Sequence, residues 1–194
     1  MVLTLCIIFG LILYIYAEVV CRGAVLARLE GIKLLFATII FTLLQTGMLL
    51  LGIGAANGIE YIHDTKQMQE FTWIASIFIF AILAIHLLRK AWKNEPVEER
   101  RQEDVLNRKK VFFLSAKLGI QTIMAGMVLG FLEEDFFAAV IIFVISSIIV
   151  FLVALYSGYL FGYVYKTAAY VISSLLLIVS DIYLIGCYFV GMAL

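Results

Sequence analysis

Six runs of predominantly apolar residues, at 2–22, 33–56, 70–90, 111–131, 136–160 and 168–192, occupy nearly all of this 194-residue chain. Each approaches or exceeds the roughly 20 residues that an α-helix needs to cross a hydrocarbon layer about 30 Å thick. Such a layer offers no water to backbone N–H and C=O groups, so each run must satisfy its own hydrogen bonds as a helix. With 64% hydrophobic residues, 14% charged residues and a mean hydropathy of +1.09, a soluble domain of this length is excluded. The expected fold class is an all-α integral membrane protein of six transmembrane helices. The first run has no basic residue before Arg22 and no clear small-residue cleavage site, so it reads as a retained helix and not as a signal peptide.

The connections are too short for a separate catalytic domain, and the longest, 91–110, is highly charged and carries the lone proline, Pro96. A formal net charge of zero hides a steep asymmetry between the two sides. Of the 14 lysines and arginines, twelve fall on one side: Arg22, Arg28 and Lys33, then the eight from Arg89 to Lys110, and Lys166. The other side has Lys66, surrounded by Glu60, Asp64, Glu70, Glu133, Glu134 and Asp135, and the remaining base, Lys117, lies within the fourth run. By the positive-inside rule the 3-4 loop is cytoplasmic and both termini face outward.

A polar residue followed by small ones is written twice. Glu18 precedes Gly23 and Ala27, and Gln121 precedes Gly126 and Gly130 at the same distances, 103 residues on. A second pair, Gly54 with Gly58 and Gly158 with Gly162, recurs at an offset of 104. Three helices per half force the second half to enter the membrane in the opposite sense. The pattern therefore predicts a 3+3 inverted repeat, with 1–90 and 111–194 as three-helix repeats around the charged loop 91–110. Small residues spaced by four let helices approach closely, so the glycines serve as packing and as a mark of duplication. Duplicated halves with polar groups at membrane depth are how many secondary transporters build a midplane site.

Ionisable groups inside membrane helices are costly and mark partners or paths. Here they are Glu18, Arg22, His86, Lys117 and Asp181. Arg22 lies one turn beyond Glu18, so the two can form an i,i+4 ion pair or act as a gate. Lys117 can snorkel to the nearby interface, yet it also lies one turn before Gln121. Asp181, in the middle of LLLIVSDIYLIG, reaches no interface and needs a donor, a proton or a cation. His86 sits near the inner end of its helix, where an interfacial position accounts for it. Gln45 is neutral and serves either a path or an interhelical hydrogen bond. The candidate path is therefore Glu18, Gln45, Gln121 and Asp181, with Glu18 and Asp181 as candidate cation ligands.

No nucleophile and base pair, phosphate loop or metal-ligand histidine spacing is present, so an enzyme is not expected and no cofactor is implied. The group Glu60, His63 and Asp64 reads as a solvated loop. Cys6, Cys21 and Cys187 have no CxxC spacing, and the position equivalent to Cys21 in the second half is Met124, which argues against a thiol relay. Nothing suggests nucleic acid as a partner.

AEVVCRGAVLA in the first run, FTLLQTGMLLLGIGAANG in the second, WIASIFIFAILAIHLLRKAW in the third, LGIQTIMAGMVLGF opening the second half, SGYLFG closing the fifth run and SSLLLIVSD in the sixth together resemble the MntP-type manganese efflux pumps, within the wider LysE-like exporters. The resemblance implies a bacterial inner-membrane exporter of manganese or a similar cation. In that family an aspartate in each of helices 1 and 4 and a glutamate in helix 2 are thought to line the cation path; they fall near Glu18, on Gln121 and on Gln45. Two of the three expected carboxylates are thus amides, while Asp181 stands where the family usually has glycine. The expectation is an alternating-access exporter of a divalent cation or other small solute with an altered acidic site. The alternative is a non-transporting membrane subunit that keeps the fold and binds a protein partner. The bilayer is the obligatory partner in both, and a homo-oligomer remains open.

Overall fold

The computed structural model describes residues 2–28, 30–62, 66–92, 106–131, 136–162, 164 and 166–192. They form six helices: α1 (Val2–Ala24), α2 (Gly31–Ile62), α3 (Lys66–Trp92), α4 (Arg108–Phe131), α5 (Phe136–Phe161) and α6 (Lys166–Met192). The helices run past the apolar stretches into polar sequence at several ends, most of all at the C-terminus of α2. Five of them, all but α3, are long and apolar enough among the described residues to cross a membrane. In α3 the corresponding apolar stretch is Ile77–His86, because its first turns are spent on KQMQE. Residues 93–105 of the charged connection lie outside the described residues, as do the side chains of Glu60, His63, Asp64, Glu133, Glu134 and Asp135.

The solvent for this bundle is lipid, and its surface reflects that. Ile32, Leu43, Phe113 and Phe137 are each at least 70% exposed, while Gln45, Ser115, Ser147 and Ser173 are fully buried. Large apolar side chains cover the outside as well as filling the core, and uncharged polar ones are drawn inward. α1 packs against α5 and α6, α2 against α4 and α5, and α3 against α6 and α4. The directions alternate. Glu18 meets Tyr170 while Gly10 meets Ser173, so α1 and α6 are antiparallel. Gln45 meets Ser115 while Gly130 meets Ala56, so α2 and α4 run parallel.

Two crossings bring backbones into direct contact. A Cβ at Gly158 of α5 would collide with Val20 O, Ala24 N and Gly23 Cα of α1, and one at Gly23 would come within 2.5 Å of Leu155 O. A Cβ at Gly52 of α2 would collide with Ile123 O, Met127 N and the Gly126 carbonyl carbon of α4, and one at Gly126 would come within 2.5 Å of Leu49 O. Of the four glycines that recur at an offset of 104, Gly158 alone lies at one of these crossings. A Cβ at Gly54, Gly58 or Gly162 meets nothing within 4 Å. The inward face of α2 carries Leu49, Ile53 and Ala56, which are buried, and Gly52 shares it. Gly162 instead ends α5, with φ of 67° and its N–H donating to Gly158 O at 2.9 Å, the left-handed helix stop that glycine adopts without strain. Ala27, the last small residue of the first pattern, lies beyond the end of α1.

Between the crossings the helices are joined by side chains. Phe41 and Phe151 stack across α2 and α5 at 4.4 Å. Ser173 Oγ donates to Gly10 O at 2.7 Å, and Tyr16 and Ser157 share a hydrogen bond of 2.9 Å. Overpacking a close crossing costs about 1–3 kcal/mol or more when the opposing atoms are backbone. Gly158→Ala and Gly52→Ala are therefore each expected to lower thermal stability in detergent by at least that amount. Gly54→Ala should leave it unchanged or slightly raised. A thermal melt followed by size-exclusion fluorescence reads the difference, and equal melts for Gly52→Ala and Gly54→Ala would contradict the crossing.

Candidate functional site

Glu18 lies seventeen residues into α1, one turn after Tyr14, and is 8% exposed. A carboxylate at that depth requires partners, and two elements supply them. Tyr170, in the first turns of α6, donates its O–H to Glu18 Oε1 at 2.6 Å. Lys117 of α4 places Nζ 3.6 Å from Glu18 Oε2, with its side chain 61% exposed. This is longer than the 2.7–2.9 Å typical of a charge-assisted hydrogen bond, so the lysine sits beside the carboxylate as a loosely held counter-charge.

The same face of α4 presents Gln121 one turn further along. Gln121 is 8% exposed and is joined to Tyr14 by a side-chain hydrogen bond. Its Oε1 is buried and finds no hydrogen-bond partner among the described residues. The rings of Tyr14 and Tyr170 lie 6.3 Å apart at 44°. Lys117, Glu18, Tyr170, Tyr14 and Gln121 thus form one connected cluster at the meeting of α1, α4 and α6. Its acceptors are a carboxylate, an amide oxygen and two phenolic oxygens. Oxygen donors of this kind suit hard cations, and a single carboxylate gives the set one negative charge.

Gln45 is placed differently. It is fully buried, donates from Nε2 to Ser115 O at 3.0 Å and accepts the Thr122 hydroxyl on Oε1 at 2.6 Å. Both ends of the amide are used in fastening α2 to α4, the interhelical role that the sequence leaves open. Ser115 and Thr122 flank the Lys117–Gln121 segment, so this fastening also fixes the helix that carries the cluster's α4 residues.

Asp181 lies eleven residues beyond Tyr170 on α6, about 16 Å along the helix axis. Helical side chains lean toward their N-terminus, and the antiparallel register sets residue 181 opposite the first turns of α1. The structure therefore brings Glu18 together with Gln121 and Lys117 but leaves Asp181 apart from them. Asp181 is half-buried, and its Oδ1 has no hydrogen-bond partner among the described residues. No group of three or more His, Cys, Asp or Glu side chains gathers among the described residues. Arg22, expected beside Glu18, lines a cavity with Lys110 and Lys117. His86 is exposed. Cys6 and Cys21 are free thiols on one helix, with Cys21 Sγ directed at Ala17 O, and the Cys187 side chain lies outside the described residues.

Tyr14, Tyr170 and Thr122 escape a reading of the sequence because tyrosine and threonine are ordinary in apolar helices. The one available signal is that Tyr14 precedes Glu18 by a helical turn. No solved structure matches the chain. The family model described as "Putative manganese efflux pump" matches residues 28–185. A relative named "Putative manganese efflux pump MntP", from Mannheimia succiniciproducens, is 26% identical over 171 residues, which cover 88% of this chain and 87% of the relative. The chain is a multi-pass membrane protein that belongs to the manganese efflux pump family, a family of membrane transporters and not of enzymes.

Proposed function

We propose that the chain exports a divalent cation, manganese or one like it, across the bacterial inner membrane by alternating access, with Glu18 as the charged stop on the path. The observation that carries this reading is the buried Glu18 carboxylate, held by Tyr170 and faced by Lys117, in a bundle of the efflux pump family. Both termini face outward and the 3-4 connection is cytoplasmic, so the Glu18 cluster sits toward the cytoplasmic end of the bundle. Asp181 is a second stop farther out.

Alternating access asks for two halves that can rock against each other, and the crossings support a pair of inverted repeats. Val20, Gly23 and Ala24 receive Gly158, while Ile123, Gly126 and Met127, each 103 residues on, receive Gly52. Gly158 and Gly52 differ by 106, as do Leu155 and Leu49, the carbonyls that face Gly23 and Gly126. The same displacement of 103 carries Glu18 onto Gln121 and Tyr14 onto Lys117, so the Glu18–Lys117 pair is exchanged with the Gln121–Tyr14 pair. The first three helices and the last three are then the two repeats, with the charged connection between them.

Within this mechanism Lys117 is the tethered counter-ion that cargo displaces from Glu18. A second reading, a non-transporting subunit that keeps the fold, draws on Gln45, whose amide is wholly engaged in packing where the family's resemblance implies a carboxylate.

The deciding experiment expresses the chain in a bacterium stripped of its own manganese exporter and records growth and cell manganese. Wild type should restore tolerance and lower the accumulated metal. Glu18→Gln, which keeps shape and removes charge, should abolish both effects, and Asp181→Asn should weaken them. Full activity in Glu18→Gln, or no effect of the wild type on any metal, defeats the export reading.

Lys117→Gln separates binding from turnover. The pair is loosely made and its lysine is mostly exposed, so the contact is worth about 1 kcal/mol and its loss should tighten manganese binding to purified protein by roughly fivefold. Export should slow in the same variant. Unchanged affinity in a binding titration would remove Lys117 from the cation's route.

A further inference from the structure

At the end of the bundle where α1 stops and α4 starts there is a cavity of about 490 Å³ lined by Arg22, Lys110, Phe113, Leu114 and Lys117. Three of its five lining residues are basic. Lys110, Phe113, Leu114 and Lys117 are spaced i, i+3, i+4 and i+7, one continuous stripe of α4, and Arg22 faces them from the last turn of α1. We propose that this cavity is a binding site for the phosphate headgroup of an anionic phospholipid.

The charge and the depth both point there. Lys110 and Lys117 are seven residues apart, so the basic stripe reaches about 10 Å along a membrane-crossing helix, the scale of a headgroup and its glycerol backbone. The Arg22 guanidinium offers paired donors that match two phosphate oxygens, and Lys110 adds a point charge, while Lys117 borders the cavity with its charge shared with Glu18. Phe113 is 73% exposed and its neighbour Phe112 52%. Aromatic rings at the level of the basic residues give the acyl chains an apolar flank that a free inorganic anion would not use. Basic pockets between helices at one face of a membrane are the general form of such sites. The field around this one is strengthened by Arg108 and Lys109, both exposed at the start of α4. The site stands whether or not the chain exports manganese, because its charge rests on Arg22 and Lys110, which the export reading does not use.

The test is native mass spectrometry of the full purified chain, titrated with phosphatidylglycerol and with phosphatidylcholine of the same acyl length. Wild type should hold phosphatidylglycerol at least tenfold more tightly. Each basic residue near an anionic headgroup contributes about fivefold in affinity, so the double variant Arg22→Gln, Lys110→Gln should lose about twenty-fivefold for phosphatidylglycerol and little for phosphatidylcholine. Lys33→Gln serves as the control, since Lys33 lies at the same end but pairs with Glu30 at 3.0 Å, away from the cavity. Equal affinity for the two lipids, or a preference kept in the double variant, overturns the proposal. Displacement of phosphatidylglycerol by millimolar inorganic phosphate would assign the cavity to a soluble anion and overturn the lipid as its occupant.

Discussion

Turning an apolar side chain from lipid to protein yields almost none of the drive it yields in water, so helices in a bilayer must be held by close packing and hydrogen bonds. This bundle meets that requirement at two places where glycine removes the side chain altogether, Gly158 against Val20–Ala24 and Gly52 against Ile123–Met127. These two contacts set α1 on α5 and α2 on α4, and the stack of Phe41 on Phe151 joins α2 to α5, so that together the three contacts place the α1 segment with Tyr14 and Glu18 relative to the α4 segment with Lys117 and Gln121. Buried polar bonds finish the job: Gln45 locks α2 to α4 on both sides of Lys117, and Ser173 ties α6 to Gly10 so that Tyr170 reaches Glu18.

Much of this was legible in the sequence, and the reasons differ by feature. The helices are readable because a lipid-spanning segment leaves the backbone no alternative, so long apolar runs translate directly into α1 to α6. Their ends are less readable, since a helix continues for as long as its own hydrogen bonds favour it. α2 therefore carries on through the polar AANGIEYI to Ile62. The glycines were readable as a class but not by face. In GIGAANG any of Gly52, Gly54 and Gly58 could meet a neighbour, and hydropathy cannot distinguish them because all faces of a membrane helix are apolar. Only packing distinguishes Gly52.

The site was half legible for a related reason. Carboxylates and amides stand out against an apolar background, which is why Glu18, Gln45, Gln121 and Asp181 can be found at all. Tyrosine does not stand out, although Tyr170 donates to Glu18 at 2.6 Å and Tyr14 holds Gln121. Nor does spacing along the chain reveal which polar residues converge. Glu18 and Asp181 look alike in sequence, two lone acids in membrane helices, yet the antiparallel register of α1 and α6 puts one near Tyr170 and the other about 16 Å farther along. Arg22, one turn from Glu18 in sequence, turns to the cavity at the mouth, while Tyr170 and Lys117 come to Glu18 from α6 and α4.

Charge balance then constrains how the proposed cycle runs. With Lys117 beside it, the charge of Glu18 is offset for an arriving ion, and a divalent cation placed between them would be repelled by the ammonium. Entry therefore requires the lysine to leave. The lysine is free to swing, since the contact is 3.6 Å and its side chain is 61% exposed, but the carboxylate side chain is 10% exposed, so the arriving cation has to replace the ammonium as it leaves. Glu18 is anchored on its other oxygen by Tyr170, so it stays when the lysine goes. Once cargo has gone, the buried carboxylate needs a counter-charge again, and Lys117, tethered one turn from Gln121, is placed to supply it. A chain with amides at Gln45 and Gln121 can in this way return to a neutral resting site, using its own lysine where a site with more carboxylates would have to be reset by an ion or proton from outside.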